Sequence, residues 1–120
     1  MKKLPVSVLK ALGIVHEAAS SKLAKEPVAL DIRESTTMAD VIYICHADSG
    51  RAVDAVAEEI VKRLREARVP VDHVEGFKKQ QWVLIDLGAM LVHVFLRDRR
   101  DHYSLERLWH DGHPIQLPPP

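Results

Sequence analysis

The chain has 120 residues, and its 17 lysines and arginines are balanced by 17 aspartates and glutamates, so the formal net charge is zero. This length fits one compact domain, and no apolar run approaches the roughly 18 residues that a membrane span needs. The charge balance disfavours a protein that binds nucleic acid by itself, because phosphate neutralisation usually requires a basic excess.

The first predicted element is a helix from residue 5 to about residue 25. Pro5 suits the first turn, where its missing N–H costs no hydrogen bond. The helix should end before Pro27, because the residue preceding a proline avoids the α region. Apolar side chains recur at spacings of three and four residues and so share one helical face: Val8, Leu12, Val15, Ala19 and Leu23.

Two strands and a second helix follow. Residues 28–33 alternate apolar and polar side chains, which is typical of a half-buried strand. Residues 41–45 form a continuous β-branched and aromatic run and predict a central strand buried on both faces. The helix opens at residues 47–50, where Asp48 or Ser49 can cap it, and runs to about residue 68. Its predicted buried stripe is Val53, Val56, Ile60 and Leu64.

A β-hairpin is the most informative prediction. After a short strand at residues 71–75, two apolar runs at 81–87 and 90–96 are separated only by Gly88 and Ala89, the signal of a type II′ turn. This turn fixes the register and places an aliphatic face in the core. The opposite face, here called the Trp82 face, pairs Asp86 with Leu91, Leu84 with His93, and Trp82 with Phe95.

The remaining residues predict a solvated charged turn at 97–101, a short helix from Tyr103 to about His110, and an extended Pro-rich tail at 114–120. The element order α-β-β-α-β-β-β-α therefore predicts a single α/β domain, residues 1–113, with a mixed five-stranded sheet and helices.

Metal and nucleophile motifs are weak in this sequence. The spacing of His102, His110 and His113 does not match a zinc motif. The lone cysteine, Cys45, excludes an intrachain disulfide and indicates a reducing, cytoplasmic compartment. Cys45 and His46 are neighbours on a strand and point to opposite faces, so they cannot form a catalytic dyad. We expect no metal site and an inert buried thiol.

A phosphate-binding loop is also disfavoured. Residues 47–51 lie at a strand-to-helix junction but hold a single glycine, Gly50, and Asp48 would repel an anion. No carboxylate pair is placed for nucleotidyl transfer. We therefore expect no cofactor and no catalytic site.

The Trp82 face has two interpretations. A helix could cover it, which is the usual outcome for an apolar face of this kind. Alternatively, it is a recognition surface, because tryptophan and phenylalanine among a few polar groups are typical of binding hot spots, and a monomer rarely exposes a large apolar patch without use.

Four ordered blocks resemble the ribosomal silencing factor (RsfS, Iojap-like) family. They are Val-Glu-Gly at 74–76, Trp-Val-Leu-Ile-Asp-Leu-Gly at 82–88, Val-His-Val-Phe at 92–95 and Tyr-Ser-Leu-Glu-Arg-Leu-Trp at 103–109. Residues 29–32 and 36–40, with Ser49 and Arg51, agree with the family upstream, so the resemblance covers about residues 8–111. The chain differs from many members at Val41, Ile42, Ala47 and Ala89.

The resemblance implies a nucleotidyltransferase-like fold without catalysis. Members bind the large ribosomal subunit through large-subunit ribosomal protein fourteen and block its joining to the small subunit. They are often dimeric when off the ribosome. A neutral member should bind a protein surface and make little direct RNA contact, and no membrane partner is implied.

Two functional hypotheses follow. The favoured one is a non-enzymatic translation repressor that docks through Trp82, Asp86, Leu91, His93, Phe95 and Tyr103. The alternative is a nucleotide-binding or nucleotidyltransferase-like module on the same fold.

Overall fold

A computed structural model describes residues 3–103 and 111–119, with side chains described for residues 3–100 and 111–119. No helix in this part of the chain is long and apolar enough to cross a membrane. The elements are α1 (Val6–Ser21), β1 (Lys25–Asp31), β2 (Val41–Ala47), α2 (Gly50–Glu66), β3 (His73–Glu75), β4 (Trp82–Asp86), β5 (Met90–Leu96), α3 (Arg97–Tyr103) and β6 (His113–Pro114).

The strands form one mixed sheet in the order β3-β4-β5-β2-β1-β6. β2 and β5 are parallel, and the other neighbouring pairs are antiparallel. The α/β class and the mixed sheet are confirmed, but the described residues form six strands where the sequence predicts five. The additional strand, β6, has only two residues and so carries no alternation pattern. Its Pro114 is tolerated because β6 lies at the sheet edge.

The two long helices cover one face of the sheet. The α2 stripe of Val53, Val56, Ile60 and Leu64 is fully buried as predicted. Ser49 caps this helix, because its side-chain oxygen accepts a hydrogen bond from the Ala52 N–H at 3.1 Å. These helices pack on a core of β2, β4 and β5 side chains that includes Tyr43, Val83 and Val92.

The end of α1 differs from the prediction. The helix stops at Ser21, so Leu23, which the periodicity assigns to the buried stripe, is 78% exposed. Leu23 adopts a φ of 60° in the turn that leads to β1. β1 itself starts at Lys25, three residues earlier than predicted, because a register shift between Lys25 and Val28 lets Lys25 pair with His46.

β2 and the hairpin follow the sequence closely. All seven residues of β2 are buried, as expected for a strand covered on both faces. The hairpin register is the predicted one, with Trp82 opposite Phe95 and Leu84 opposite His93. Gly88 has a φ of 82°, the positive value that the first position of a type II′ turn requires.

A second, smaller core lies on the other face of the sheet. Its buried members are Leu30, Ile32, Ala39, Ile42, Ile44 and Phe95, with Val28, Trp82 and Leu91 packed against them. The sheet is therefore apolar on both faces, and the Trp82 face continues directly into this second core.

The predicted charged turn at residues 97–101 is wrong. These residues begin α3, and Arg100 is only 8% exposed. Its Nη1 donates to the carbonyl oxygen of Glu26 at 2.6 Å, beside the irregularity in β1. A backbone carbonyl without a regular strand partner needs another donor, and the guanidinium supplies it. Of the predicted helix from Tyr103 to His110, residues 104–110 lie outside the described residues.

The described part of the predicted tail, residues 114–119, packs along α1 and β1. The Ile115 N–H donates to the carbonyl oxygen of Ala29 at 2.8 Å, and Ile115 and Leu117 pack against the main core. Nε2 of His16 lies 2.8 Å from the carbonyl oxygen of Pro118. That oxygen can only accept, so Nε2 carries the proton, and a neutral ring would accept from the Tyr43 hydroxyl at 3.0 Å.

Replacing Ile115 with alanine should lower the free energy of unfolding by about 1–2 kcal/mol, because a half-buried aliphatic side chain leaves the core. Gln116→Ala is the matched control, since Gln116 is exposed and should change stability by less than about 0.5 kcal/mol. Urea unfolding measures both. Equal midpoints for the two variants would show that this segment does not contribute to folding.

Candidate functional site

The hairpin brings five of the six predicted site residues onto one face, but they differ in accessibility. Phe95 is fully buried and His93 is 6% exposed. Trp82, Asp86 and Leu91 are half-buried. Tyr103 lies in α3, and its side chain is outside the described residues. Of the predicted residues whose side chains are described, Trp82, Asp86 and Leu91 are therefore open to direct contact.

Leu84 extends this accessible set. It lies between Trp82 and Asp86 on the same face of β4 and is also half-buried. We call Trp82, Leu84, Asp86 and Leu91 the docking strip. The strand alternation places Leu84 on this face, although Leu84 is not among the predicted contact residues.

Three stacked rings form the base of the strip. The rings of Trp82 and Phe95 are 5.1 Å apart with an interplanar angle of 24°, and those of His93 and Phe95 are 5.9 Å apart and nearly parallel. Offset stacks at these distances are favourable beyond the area they bury. The buried pair therefore supports the half-exposed indole from below.

A hydrogen bond fixes the orientation of the indole. Trp82 Nε1–H donates to His93 Nδ1 at 3.0 Å, which requires a lone pair on that nitrogen. Because the indole N–H is directed at His93, the half-exposed part of Trp82 presents apolar ring atoms. A partner would therefore meet an aromatic surface in a fixed position.

Asp86 has a structural role at the other end of the strip. Its Oδ1 accepts a hydrogen bond from the Gly88 N–H at 2.7 Å, which closes the hairpin turn. A half-buried carboxylate that is already bonded to the turn is held in place, and its remaining acceptor positions are available to a partner.

The loop between β3 and β4 is a part of the site that the sequence does not predict. Asp54 of α2 accepts from the Lys78 N–H at 3.3 Å and from the Gln80 side-chain amide at 3.2 Å. Lys78 and Gln80 both have positive φ values, which is uncommon for residues other than glycine. Asp54 thus secures a loop whose conformation no local pattern reveals.

This loop forms one wall of a groove beside the strip. The groove has a volume of about 450 Å³ and is lined by Glu75, Gly76, Lys79, Trp82 and Leu84. Glu75 and Lys79 place one charge of each sign beside an apolar floor. Such a groove can accept an apolar side chain with polar groups around it.

The other candidate chemistries find no support in the described residues. Cys45 is fully buried, and burial raises its pKa to about 12, so the thiol is protonated and unreactive at neutral pH. His46 points to the opposite face, as predicted. In the described part of the chain, no group of three or more histidine, cysteine or acidic residues is placed to hold a metal. Asp48, at the rejected phosphate loop, pairs with Lys25 at 3.4 Å.

Comparisons with known proteins agree on one family. The family model described as "Ribosomal silencing factor during starvation" matches residues 5–119. The chain is similar to ribosomal silencing factor RsfS of Bacillus subtilis (strain 168), with 42% identity over 101 residues, or 84% of this chain and 86% of that one. RsfS of Halalkalibacterium halodurans is 39% identical over 106 residues, or 88% and 91%.

A solved structure shares the fold as well. The X-ray structure of a protein from Chromobacterium violaceum superposes with a TM-score of 0.84 at 31% identity, covering 93% of this chain and 90% of that one.

Gly76→Ala should destabilise the protein by at least about 1–2 kcal/mol. Gly76 has a φ of 82°, which is costly for a residue with a Cβ, and that Cβ would collide with the Trp82 carbonyl oxygen. Gly13→Ala is the control, because its Cβ would meet no atom within 4 Å, and a helical alanine should stabilise by about 0.4–1 kcal/mol. Thermal unfolding with opposite shifts is expected. A neutral Gly76→Ala variant would contradict this account of the loop.

Proposed function

Because the chain belongs to the ribosomal silencing factor family, we propose that it represses translation by binding the large ribosomal subunit and sterically blocking its association with the small subunit. The proposed contact is large-subunit ribosomal protein fourteen, as the sequence resemblance implies. We place this activity in the cytoplasm. Homodimer formation by the free protein stays a prediction.

The docking strip is the observation that supports this proposal. It presents a positioned tryptophan with Leu84 and Leu91 on the sheet face opposite α1 and α2. Aromatic anchors on a rigid support are the usual centre of a protein–protein interface. Since β4 and β5 hold the strip, little conformational entropy should be lost on binding.

The charge balance favours a protein partner over RNA. The chain carries no net charge, and the groove beside Trp82 offers one acidic and one basic side chain. A surface of this kind suits apolar contact with a few ion pairs and is poorly suited to tracking a phosphate backbone.

A steric mechanism requires no reactive group, and the strip has the properties such a mechanism needs. Its polar members, the Trp82 indole N–H and the Asp86 carboxylate, are bonded to His93 and to the hairpin turn. These hydrogen bonds therefore keep the surface of the strip in a fixed shape. The nucleotide-binding alternative has no observation in its favour among the described residues.

Trp82→Ala should weaken binding to purified large subunits by at least about 30-fold, which corresponds to roughly 2 kcal/mol for loss of a hot-spot residue. Leu84→Arg is a second variant on the strip. The leucine side chain that it replaces makes no hydrogen bond, so this substitution breaks none. Leu9→Ala is the control, because Leu9 is an exposed apolar residue on α1. Co-sedimentation measures binding, and circular dichroism confirms folding. If both folded strip variants sediment like wild type, the strip is not the docking site.

Binding should also depend only modestly on salt. The measurement is the slope of the logarithm of the association constant against the logarithm of the salt concentration, for wild type and large subunits. A contact between protein surfaces releases few counterions, whereas six or more phosphate contacts would give a slope steeper than about −5, at roughly 0.9 per contact. A slope that steep would point to ribosomal RNA as the main partner.

A further inference from the structure

A buried pair of basic residues lies where the carboxyl ends of the parallel strands β2 and β5 meet. His46 is 5% exposed and Arg100 is 8% exposed. Arg100 Nη1 lies 3.0 Å from His46 Nδ1 and 2.6 Å from the carbonyl oxygen of Glu26. This contact ties α3 to β2 and to the start of β1.

The contact requires a neutral histidine. A guanidinium group donates hydrogen bonds and cannot accept them, so His46 Nδ1 must carry a lone pair. Burial first, and then the charge of Arg100, lower the pKa of His46. At neutral pH the imidazole is therefore uncharged and accepts a hydrogen bond from Arg100.

Among the described residues, four charged groups face the imidazole, two of each sign. Arg100 and Arg97 approach from α3, Glu26 from β1, and Asp48 from the turn after β2. The Glu26 carboxylate is 3.9 Å away and 77% exposed. Asp48 is shared with Lys25 at 3.4 Å and Arg97 at 3.9 Å. Of these charges Arg100 has the largest effect on the pKa of His46 and lowers it, while the more exposed carboxylates of Glu26 and Asp48 act in the opposite direction.

The position of α3 matters for the docking strip. α3 follows β5 without an intervening residue and packs on both β5 and β2. β5 carries His93 and Phe95, the rings that support Trp82. α3 also contains Tyr103, a predicted contact residue.

We propose that Arg100 is a positioning residue for the docking strip and that His46 makes its hold on α3 dependent on pH. Neutral His46 keeps α3 seated against the sheet. When His46 is protonated, its Nδ1–H faces an N–H of Arg100, and the imidazolium charge faces the guanidinium charge. This repulsion releases α3 and weakens binding to the large subunit. This last step rests on the proposed function.

The direction of the pH effect follows from linkage. A histidine whose folded-state pKa is lowered binds more protons in the open state than in the closed state, so stability is complete above the ordinary value of 6.5 and falls as the pH drops. Between 6.5 and the folded-state pKa, the opening equilibrium of α3 should rise by about tenfold per pH unit, and below that pKa it should level off.

Hydrogen exchange of the full chain tests the pH-dependent contact between His46 and Arg100, here called the latch, without ribosomes. Amides of residues 97–103 are followed from pH 7.5 to 5 and corrected for intrinsic exchange. Wild type should show the rise described above. His46→Asn keeps an acceptor near the Nδ1 position but does not titrate, so its α3 opening should not change with pH. His113→Asn is the control, because His113 is exposed and pairs with Glu34. It should behave like wild type.

Two results would overturn the latch: a wild-type α3 whose opening does not respond to pH, or a His46→Asn variant that responds like wild type. If His46→Asn does not fold, NMR titration of wild type replaces it. The imidazole of His46 and the amides of α3 should then share one midpoint, and separate midpoints would refute the coupling.

Co-sedimentation with large subunits at pH 7.5 and 5.5 tests the link to function. If only the closed form binds, wild type should lose affinity at pH 5.5 relative to His46→Asn by the factor by which exchange shows the closed fraction of α3 to fall. Equal loss in both proteins would refute the positioning role even if α3 opens. The Trp82→Ala experiment at pH 7.5 judges the docking site separately, because exchange in α3 needs no partner.

Discussion

The parallel pairing of β2 with β5 is the constraint on which the rest of the structure depends. All seven residues of β2 pair with β5 in register and all are buried. A strand buried on both faces requires a cover on each side. The helices α1 and α2 supply one cover, and the second core around Ile44 and Phe95 forms on the other. The docking strip lies where that second core thins out toward the sheet edge, so its rigidity and its partial exposure have the same origin.

Local patterns were sufficient for much of this fold. The two-residue turn at Gly88 and Ala89 sets the pairing of every residue in the hairpin, because strand side chains alternate with a period of two. The α2 stripe follows from helical periodicity in the same way. These patterns assign side chains to a face but say nothing about what lies above that face. The sequence therefore predicts Trp82 and Phe95 as equivalent, whereas the structure buries Phe95 completely and leaves Trp82 half open.

Contacts distant in sequence account for what the patterns missed. A run of charged residues such as 97–101 is ordinarily solvated. The carbonyl oxygen of Glu26, 74 residues earlier in an irregular strand, and the ring of His46 make Arg100 a buried donor. The loop that frames the groove depends on Asp54, which lies 24 residues before Lys78. The proline-rich sequence of the tail likewise gives no sign of β6. The pairing of β6 with Leu30 and Asp31 depends on the free edge of β1. In each case the partner group determines the structure.

The contact between His16 and Pro118 bears on the order in which the protein acquires its structure. The two residues are separated by 102 positions, so the buried imidazole on the first helix meets its carbonyl acceptor only after more than a hundred further residues have been synthesised. During translation this helix can form and pack on α2, but one of its buried polar groups lacks the native bond until residue 118 leaves the ribosome. The contact between α1 and the C-terminal segment is thus a late event of biosynthesis. Contacts between residues so distant in sequence slow folding.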